Sequence, residues 1–374
     1  MDRREAVTGR IKRVSTRLAH DGLDAGLFYS DGHHSILGAD SAFWVSGMKP
    51  MGPHTLAIVT ADGDARLVVS PFWEEERARE QSPIERIVAA DGFDRGVEQA
   101  IRELGLQKAR TGLVGRRRLT AAAQRAVHSA LDTPPQSFDD AFDELARRKD
   151  AYELGLARHA ACIAEAAHDY MLEVARVGMT EWELAAEIVH FSKSQGADDN
   201  FLLMASSQHN SGVRPPMDRR LDVGDFIIME ITPGVHGQYV QICRTAHVGD
   251  PTTAESAAYE ANVAAMQAGI AHGRPGLRVK DVVAPIDQAL TAAGYGRWVT
   301  GHRRGHGFGI GCPSPGDIAR DNETVLEPGM LFVVHPNQYL PETGYVLAGE
   351  PVVVGESGLE LLTTRIATLD VIAA

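Results

Sequence analysis

Six side chains in the second half of this chain are of the kinds that move protons or hold metal ions. Glu230 and Gln241 lie in "IIMEITPGVHGQYVQICRT" (227–245), and His302 and His306 in "GHRRGHGFGIG" (301–311). His335 ends the apolar run of "LEPGMLFVVHPNQYLP" (326–341), and Glu350 stands in "GYVLAGEPVVV" (344–354). An imidazole with its ordinary pKa near 6.5 is suited to proton transfer around neutrality. A facing carboxylate such as Glu230 would favour its charged form and fix its tautomer. Acid–base help of this kind is worth about 10²–10⁴-fold in rate. Two imidazoles and one carboxylate are equally a donor set for zinc or non-haem iron. His302 and His306 are four residues apart among five glycines, which leaves that loop few apolar anchors and argues against simple packing as its purpose.

These residues need strands to present them. Apolar runs at 201–206, 226–232, 238–247, 329–335, 344–354 and 359–363 read as strands. Helices are expected from one long tract over 141–177 and from a capping box, Thr180-Glu181-Trp182-Glu183, that opens another. Further helices are expected over 252–272 and 279–293. Helices set apart from a largely antiparallel sheet make an α+β domain. The first part alternates instead: a basic helix over 2–20, strands at 25–30 and 42–48, and a hairpin over 54–70 turning at Asp62-Gly63-Asp64. Helices in "PFWEEERARE", "GVEQAIRELGL" and "LTAAAQRAVHSAL" and a strand in "ARTGLVG" complete an α/β unit. Pro134-Pro135 marks the boundary, so the expected domains are 1–135 and 141–374.

The bulk properties restrict function. At 374 residues the chain exceeds what one core usually holds. A formal net charge of −13 argues against nucleic-acid binding. No stretch has the length of a transmembrane helix, and "MDRREAVTGRIKRV" lacks the apolar core of a signal peptide, so no membrane partner is expected. Cys162, Cys243 and Cys312 are far apart and odd in number, which points to a reducing cytoplasm and not to a disulfide framework.

The succession "MTEWELAAEI", "DRRLDVGDFIIMEI", "GQYVQICRT", "GHRRGHGFGIG", "LEPGMLFVVHPNQYLP" and "GESGLELLT" resembles the pita-bread superfamily of aminopeptidase P, prolidase, methionine aminopeptidase and creatinase. The resemblance runs in order from Asp143 to Thr363. "AFWVSGM" followed by "TLAIVTADGDARLVVSP" resembles the creatinase/prolidase-type N-terminal domain. The implied fold is an α+β pita-bread C-terminal domain, an antiparallel sheet covered by helices, behind an α/β N-terminal domain. The resemblance also implies a homodimer.

The superfamily's peptidases hold two metal ions with five ligands. Their first Asp falls here on Glu230, the second on Gln241, and their histidine on His306. Their two late glutamates fall on His335 and Gly349, with Glu350 matching the acidic residue that often follows. Their first-loop histidine falls on Val213 or Arg214, and His209 is near enough to substitute if the loop folds differently. Two adjacent divalent ions need several carboxylates, so a dinuclear site is not expected. The expectation is a creatinase-like hydrolase of a non-peptide C–N bond in a small, carboxylated substrate, with no metal cofactor. In it His306, His335, Glu230 and Glu350 are catalytic, and His302, Arg304, Gln241, Arg214 and His209 bind substrate. Creatinase is itself matched imperfectly, because its acidic residue before "RT" falls on Cys243. The alternatives are a single divalent metal ion on Glu230, His306 and His335, or an Xaa-Pro peptidase-like enzyme. A lyase or a non-catalytic binding protein on the same fold is the remaining reading. Arg303-Arg304 replaces the small residues the superfamily keeps between the two histidines and offers a bidentate clamp for a substrate carboxylate, with Arg304 as the first candidate and Arg214 and Arg244 as similar ones. Cys243 and Cys312 are expected to be packing residues.

Overall fold

The computed structural model describes every residue except 39, 300–302 and 311–314. His302 and Cys312 are therefore outside the described residues. The chain forms two compact units, Met1–Tyr152 joined by Ile310, and Glu153–Gly309 with the C-terminal stretch to Ala374.

The first unit is built on a six-stranded mixed sheet in the order β4-β3-β2-β1-β5-β6. Its strands are β1 (Ala25–Ser30), β2 (His54–Thr60), β3 (Ala65–Ser70), β4 (Ile87–Ala89), β5 (Thr111–Val114) and β6 (Gln136–Ser137). Its helices are α1 (Arg3–His20), α2 (Ser41–Ser46), α3 (Glu75–Gln81), α4 (Phe93–Glu103), α5 (Ala121–Ala130) and α6 (Asp139–Ala146). β2 and β3 form the expected hairpin. The run expected as a strand over 42–48 is instead the short helix α2. Its residues are buried all round, so no two-residue period shows, and its ends are set by caps. Asp40 Oδ1 accepts from the Phe43 N–H at 2.9 Å, and Gly47 closes the helix at φ 73°.

The unit boundary falls later than the Pro134-Pro135 turn, because α6 packs Phe142 and Ala146 into the first core beside Phe28 and Trp44. The single helix expected over 141–177 is broken at the charged run 147–150. There Lys149 Nζ donates to the Ala146 carbonyl at 2.7 Å, and Asp150 pairs with buried Arg10 at 2.8 Å.

In the second unit α7 (Ala151–Val174) and α8 (Glu181–Ser194) precede β7 (Asp199–Ser207), β8 (Phe226–Val235), β9 (Gln238–Tyr239) and β10 (Ile242–Val248). α9 (Thr253–His272) and α10 (Val283–Ala292) follow. The chain ends in β11 (Arg303–Gly307), β12 (Asp317–Ala319), β13 (Leu331–Val334), β14 (Gln338–Leu340), β15 (Gly344–Val346), β16 (Glu350–Val354), β17 (Leu359–Leu361) and β18 (Leu369–Ile372). Thr180 and Glu183 make the capping box of α8.

The strands form one sheet in the order β18-β10-β8-β7, with β9 on β8, a second in the order β12-β11-β13-β16-β17, and a two-stranded sheet of β14 and β15. Every pairing is antiparallel except β10 with β18. Ile227, Met229 and Ile231 of β8 pack with Ala164, Met171, Leu184 and Ile188 of α7 and α8. Phe332 and Val334 of β13 pack with Met266 of α9 and Ile286 of α10. Each of the first two sheets thus has one face on helices. Since successive side chains alternate across a strand, the residues between those core positions face the other way. The two sheets meet through a bridge between Cys243 and Gly349, with N–H to carbonyl distances of 3.0 and 3.1 Å. Among the described residues no helix is long and apolar enough to cross a membrane.

Candidate active site

The site collects on the faces that the helices leave uncovered. On β8, Glu230 lies between the core residues Met229 and Ile231 in sequence and so points to the opposite side. Its partner across the hairpin is Cys243, with Gln241 two residues before it on the same face. Gln241 spans the two: Thr232 Oγ1 donates to its Oε1 at 3.3 Å, and its Nε2 donates to Cys243 Sγ at 3.3 Å. From the other sheet, His306 pairs with Val333, and His335 follows two residues later on the same side. The two imidazoles stand edge to face with centroids 5.2 Å apart. Glu230 is 9% exposed, His306 8%, His335 3% and Cys243 fully buried.

His306 Nδ1–H donates to the Gly307 carbonyl at 3.1 Å, which leaves Nε2 as its lone-pair nitrogen. Both ring nitrogens of His335 are buried without a hydrogen-bond partner. Asn337 Nδ2 donates to Glu230 Oε1 at 3.2 Å, while its own Oδ1 is also unpartnered. One donor atom each of Glu230, Cys243 and His335 lies within 4.8 Å of the others. This buried set, with both His335 nitrogens unsatisfied, fits a single bound cation.

Burial dominates the electrostatics. It pulls His306 down to about 4 and His335 well below the usual imidazole value, and the Arg303 charge adds to both. It pushes the Glu230 carboxyl up, against the opposing pull of Arg303, and raises the Cys243 thiol far above its ordinary value. Burial also lifts the Tyr345 phenol to about 12, with Glu230 next in effect. The expectation that Glu230 would keep an imidazole charged is thus corrected: burial leads the shift of both rings, and it lowers them.

This sets a pH dependence. The folded His306 stays neutral where an unfolded imidazole, with its pKa near 6.5, takes a proton. Its contribution is whole above about pH 6.5 and is lost as pH falls toward about 4. At 1.36 kcal/mol per unit, the chelator-treated protein should lose about 3 kcal/mol relative to His306→Gln across that window. Urea melts of both proteins at several pH values measure this, and a constant difference would refute it.

Several expected site residues are engaged elsewhere. Glu350 is on the helix-facing side of β16 with Val352 and Val354, opposite in sense to Gly349. Its carboxylate is taken up by Arg244 (3.0 Å), Thr363 Oγ1 (2.7 Å) and the Ala367 N–H (2.7 Å), so it does not reach His335 or His306. The same pair removes Arg244 as a substrate clamp. Arg304 is almost fully buried and pairs with Asp287 at 2.7 Å, so it is a structural cation. Arg214 holds Glu181 through both guanidinium nitrogens, at 2.7 and 3.0 Å. His209 is exposed, with Nε2 at 3.1 Å from the Pro341 carbonyl and its ring against Tyr339.

Arg303 is the cation that acts on the group. Simple alternation would put Arg304 beside His306, but β11 carries a bulge. Arg303 pairs with Ala319 and His306 with Asp317, so three steps on β11 face two on β12. Gly305 makes this possible at φ 143°, with its α-carbon so close to β13 that a Cβ would lie 2.0 Å from the Val333 carbonyl oxygen. Cys243 was expected near the site only as a packing residue and Arg303 only as half of the Arg303-Arg304 pair, while Asn337 and Tyr345 were not expected there. Hairpin register would have found Cys243, and the two-residue spacing from His335 would have found Asn337. Nothing local marks the Arg303 bulge except the glycine.

Residues 155–356 match the model of metallopeptidase family M24, and residues 10–148 match the creatinase/prolidase N-terminal domain. An uncharacterised peptidase of Bacillus subtilis, YqhT, is 30% identical over 65% of this chain and 69% of its own length. A protein named Xaa-Pro dipeptidase from Pyrococcus furiosus is 26% identical over 86% of this chain and 90% of its own. Among solved structures, the Xaa-Pro dipeptidase from Bacillus anthracis superposes with a TM-score of 0.83 at 26% identity, over 98% of this chain and 99% of that one. Dipeptidase PepE from Mycobacterium ulcerans shares the fold at a TM-score of 0.83 over the whole of both chains, at 24% identity. The chain therefore belongs to metallopeptidase family M24, as a hydrolase with a creatinase-type N-terminal domain ahead of an aminopeptidase P-like pita-bread domain.

Proposed function

We propose that this protein hydrolyses the C–N bond of a small carboxylated substrate, with Xaa-Pro dipeptides first among the candidates, using one bound divalent ion. The observation that carries this is a single buried carboxylate, Glu230, grouped with two neutral imidazoles, one of which has no partner at either nitrogen. The names of the relatives support a peptide bond.

One ion, rather than two, is supported by what stands at the bridging positions. Gln241 offers a neutral amide, already engaged by Thr232 and Cys243. Gly349 offers no side chain, and a Cβ there would lie 2.6 Å from His335 Cβ and 2.8 Å from Cys243 Sγ. Glu230 and His335, which each bring a donor atom within 4.8 Å of the other, would hold the ion, and His306 stands beside them. When bound, the ion would polarise the scissile carbonyl and make water acidic enough to attack at neutral pH.

The chain's own groups do the remaining work. Glu230, more basic through burial and steadied by Asn337, takes the proton of the attacking water and passes it to the leaving nitrogen. His306, with Nδ1 fixed on Gly307, keeps Nε2 unprotonated at neutral pH. Arg303, partly exposed and bound to Asp317 at 3.1 Å, supplies the charge that attracts the substrate carboxylate. Tyr345 remains a neutral hydrogen-bond donor beside Glu230.

A second reading, a creatinase-like hydrolase of a non-peptide C–N bond, is favoured by the missing carboxylates at 241 and 349. Metal content and turnover separate the two. Protein stripped with chelator and reloaded with Zn²⁺, Mn²⁺ or Fe²⁺ is assayed on Xaa-Pro dipeptides and on guanidino and amidine acids. The expected result is one ion per chain, dipeptide cleavage lost on chelation, and an Arg303→Ala variant whose KM rises more than its kcat falls. Full activity after stripping would refute the ion, and turnover of guanidino or amidine acids alone would transfer the assignment to the second reading.

A further inference from the structure

Cys243 was expected only as a packing residue near the site. It is fully buried, and it faces Glu230 directly across the β8–β10 pair. Its Sγ, a Glu230 oxygen and a His335 nitrogen lie within 4.8 Å of one another, a spacing that one cation between them can bridge. Independently, His335 is 3% exposed, and neither of its ring nitrogens, one of which belongs to this group, has a hydrogen-bond partner. A buried polar group is rarely left so, because its desolvation then goes uncompensated. Gly349 closes the argument from the other side: the volume its side chain would fill is taken by Cys243 Sγ and His335 Cβ. Gln241 Nε2 points its N–H at the sulfur from 3.3 Å, the kind of outer partner that steadies a thiolate ligand.

We propose that Cys243 is a metal ligand, forming with Glu230 and His335 a three-donor site for one borderline divalent cation, Zn²⁺ or Fe²⁺. This rests on the reading that the pocket holds a single ion, and is independent of which bond is cleaved. A thiolate and an imidazole select such ions over Mg²⁺, Ca²⁺ or Mn²⁺, which prefer all-oxygen sets. Three protein donors leave a coordination position open, as catalytic zinc sites do. His306 lies outside the 4.8 Å group and is left to address whatever enters that position.

Co²⁺ replacing the native ion reports sulfur ligation without any turnover. Stripped protein titrated with Co²⁺ should show a near-ultraviolet thiolate-to-cobalt charge-transfer band that saturates at one equivalent. The band should vanish in Cys243→Ala and persist in Cys162→Ser and Cys312→Ser. Zn²⁺ affinity in Cys243→Ala should fall by at least about 10–100-fold, the loss typical for an outer-sphere partner alone. A saturable Co²⁺ complex without the band, or a band that survives Cys243→Ala, would overturn the proposal. Should that variant not fold, X-ray absorption on the Zn²⁺-loaded wild type decides: a sulfur scatterer at about 2.3 Å is expected, and a shell of only nitrogen and oxygen would refute it. The band with no C–N hydrolysis would sink the hydrolytic reading and leave this one standing. Hydrolysis with an ion but no band would do the reverse.

Discussion

Glu230→Gln should lower kcat/KM by about 10²–10⁴-fold, the usual worth of a positioned general base, while the protein remains folded. Among the described residues Glu230 is the carboxylate grouped with His335 and Cys243, so no neighbour can take over its proton transfer. The amide is close to isosteric, and its carbonyl can still accept from Asn337 Nδ2, which now stands 3.2 Å from Oε1. Stability should hold or rise. Burial raises the Glu230 pKa, so the ionised carboxylate costs folding free energy as pH rises above its unfolded value, and the neutral amide removes that cost. Steady-state kinetics on the best substrate, with a thermal melt of the same sample, separates the two effects. A loss of less than about 10-fold would remove Glu230 from the proton-transfer role assigned to it.

Gly305→Ala should damage the second unit from the backbone outward. The glycine has φ 143°, and an added Cβ would lie 2.0 Å from the Val333 carbonyl oxygen and 3.0 Å from Ile318 Cδ1. The contact at 2.0 Å is with backbone, so no rotamer relieves it. Either β11 separates from β13 or the bulge is lost. Backbone strain and overpacking each cost about 1–3 kcal/mol, so a total of about 3 kcal/mol or more is expected. For a unit of this size that lowers Tm by roughly 6–12 °C. Losing the bulge would also exchange the directions of Arg303 and Arg304, placing the cation now paired with Asp287 toward His306 and withdrawing Arg303. A melt unchanged within about 2 °C, with unaltered kinetics, would show that the bulge does not depend on this residue.

Much of the architecture was readable from local pattern. Short apolar runs announced β8, β10 and β13, and Thr180 with Glu183 announced α8, because capping and strand propensity act over a few neighbours. The failures were places where neighbours do not decide. The run from Ala42 to Met48 is apolar in every direction, so only its Asp40 and Gly47 caps distinguish helix from strand. The helical pattern over 141–177 continued through 147–150, where the break depends on Asp150 meeting Arg10, 140 residues away in sequence.

At the site the same division holds. Residue types alone, Glu230, Gln241, His306, His335 and Gly349 in their order, selected the family. They did so because a ligand position can be read by type wherever strand order is known. Which groups share one space was settled only by tertiary pairing. The β8–β10 register places Cys243 opposite Glu230. Strand parity hides Glu350 behind the sheet with Arg244. The bulge at Gly305 makes Arg303, and not Arg304, the cation at the site. Burial, which no linear pattern records, pulls both imidazoles below their ordinary value.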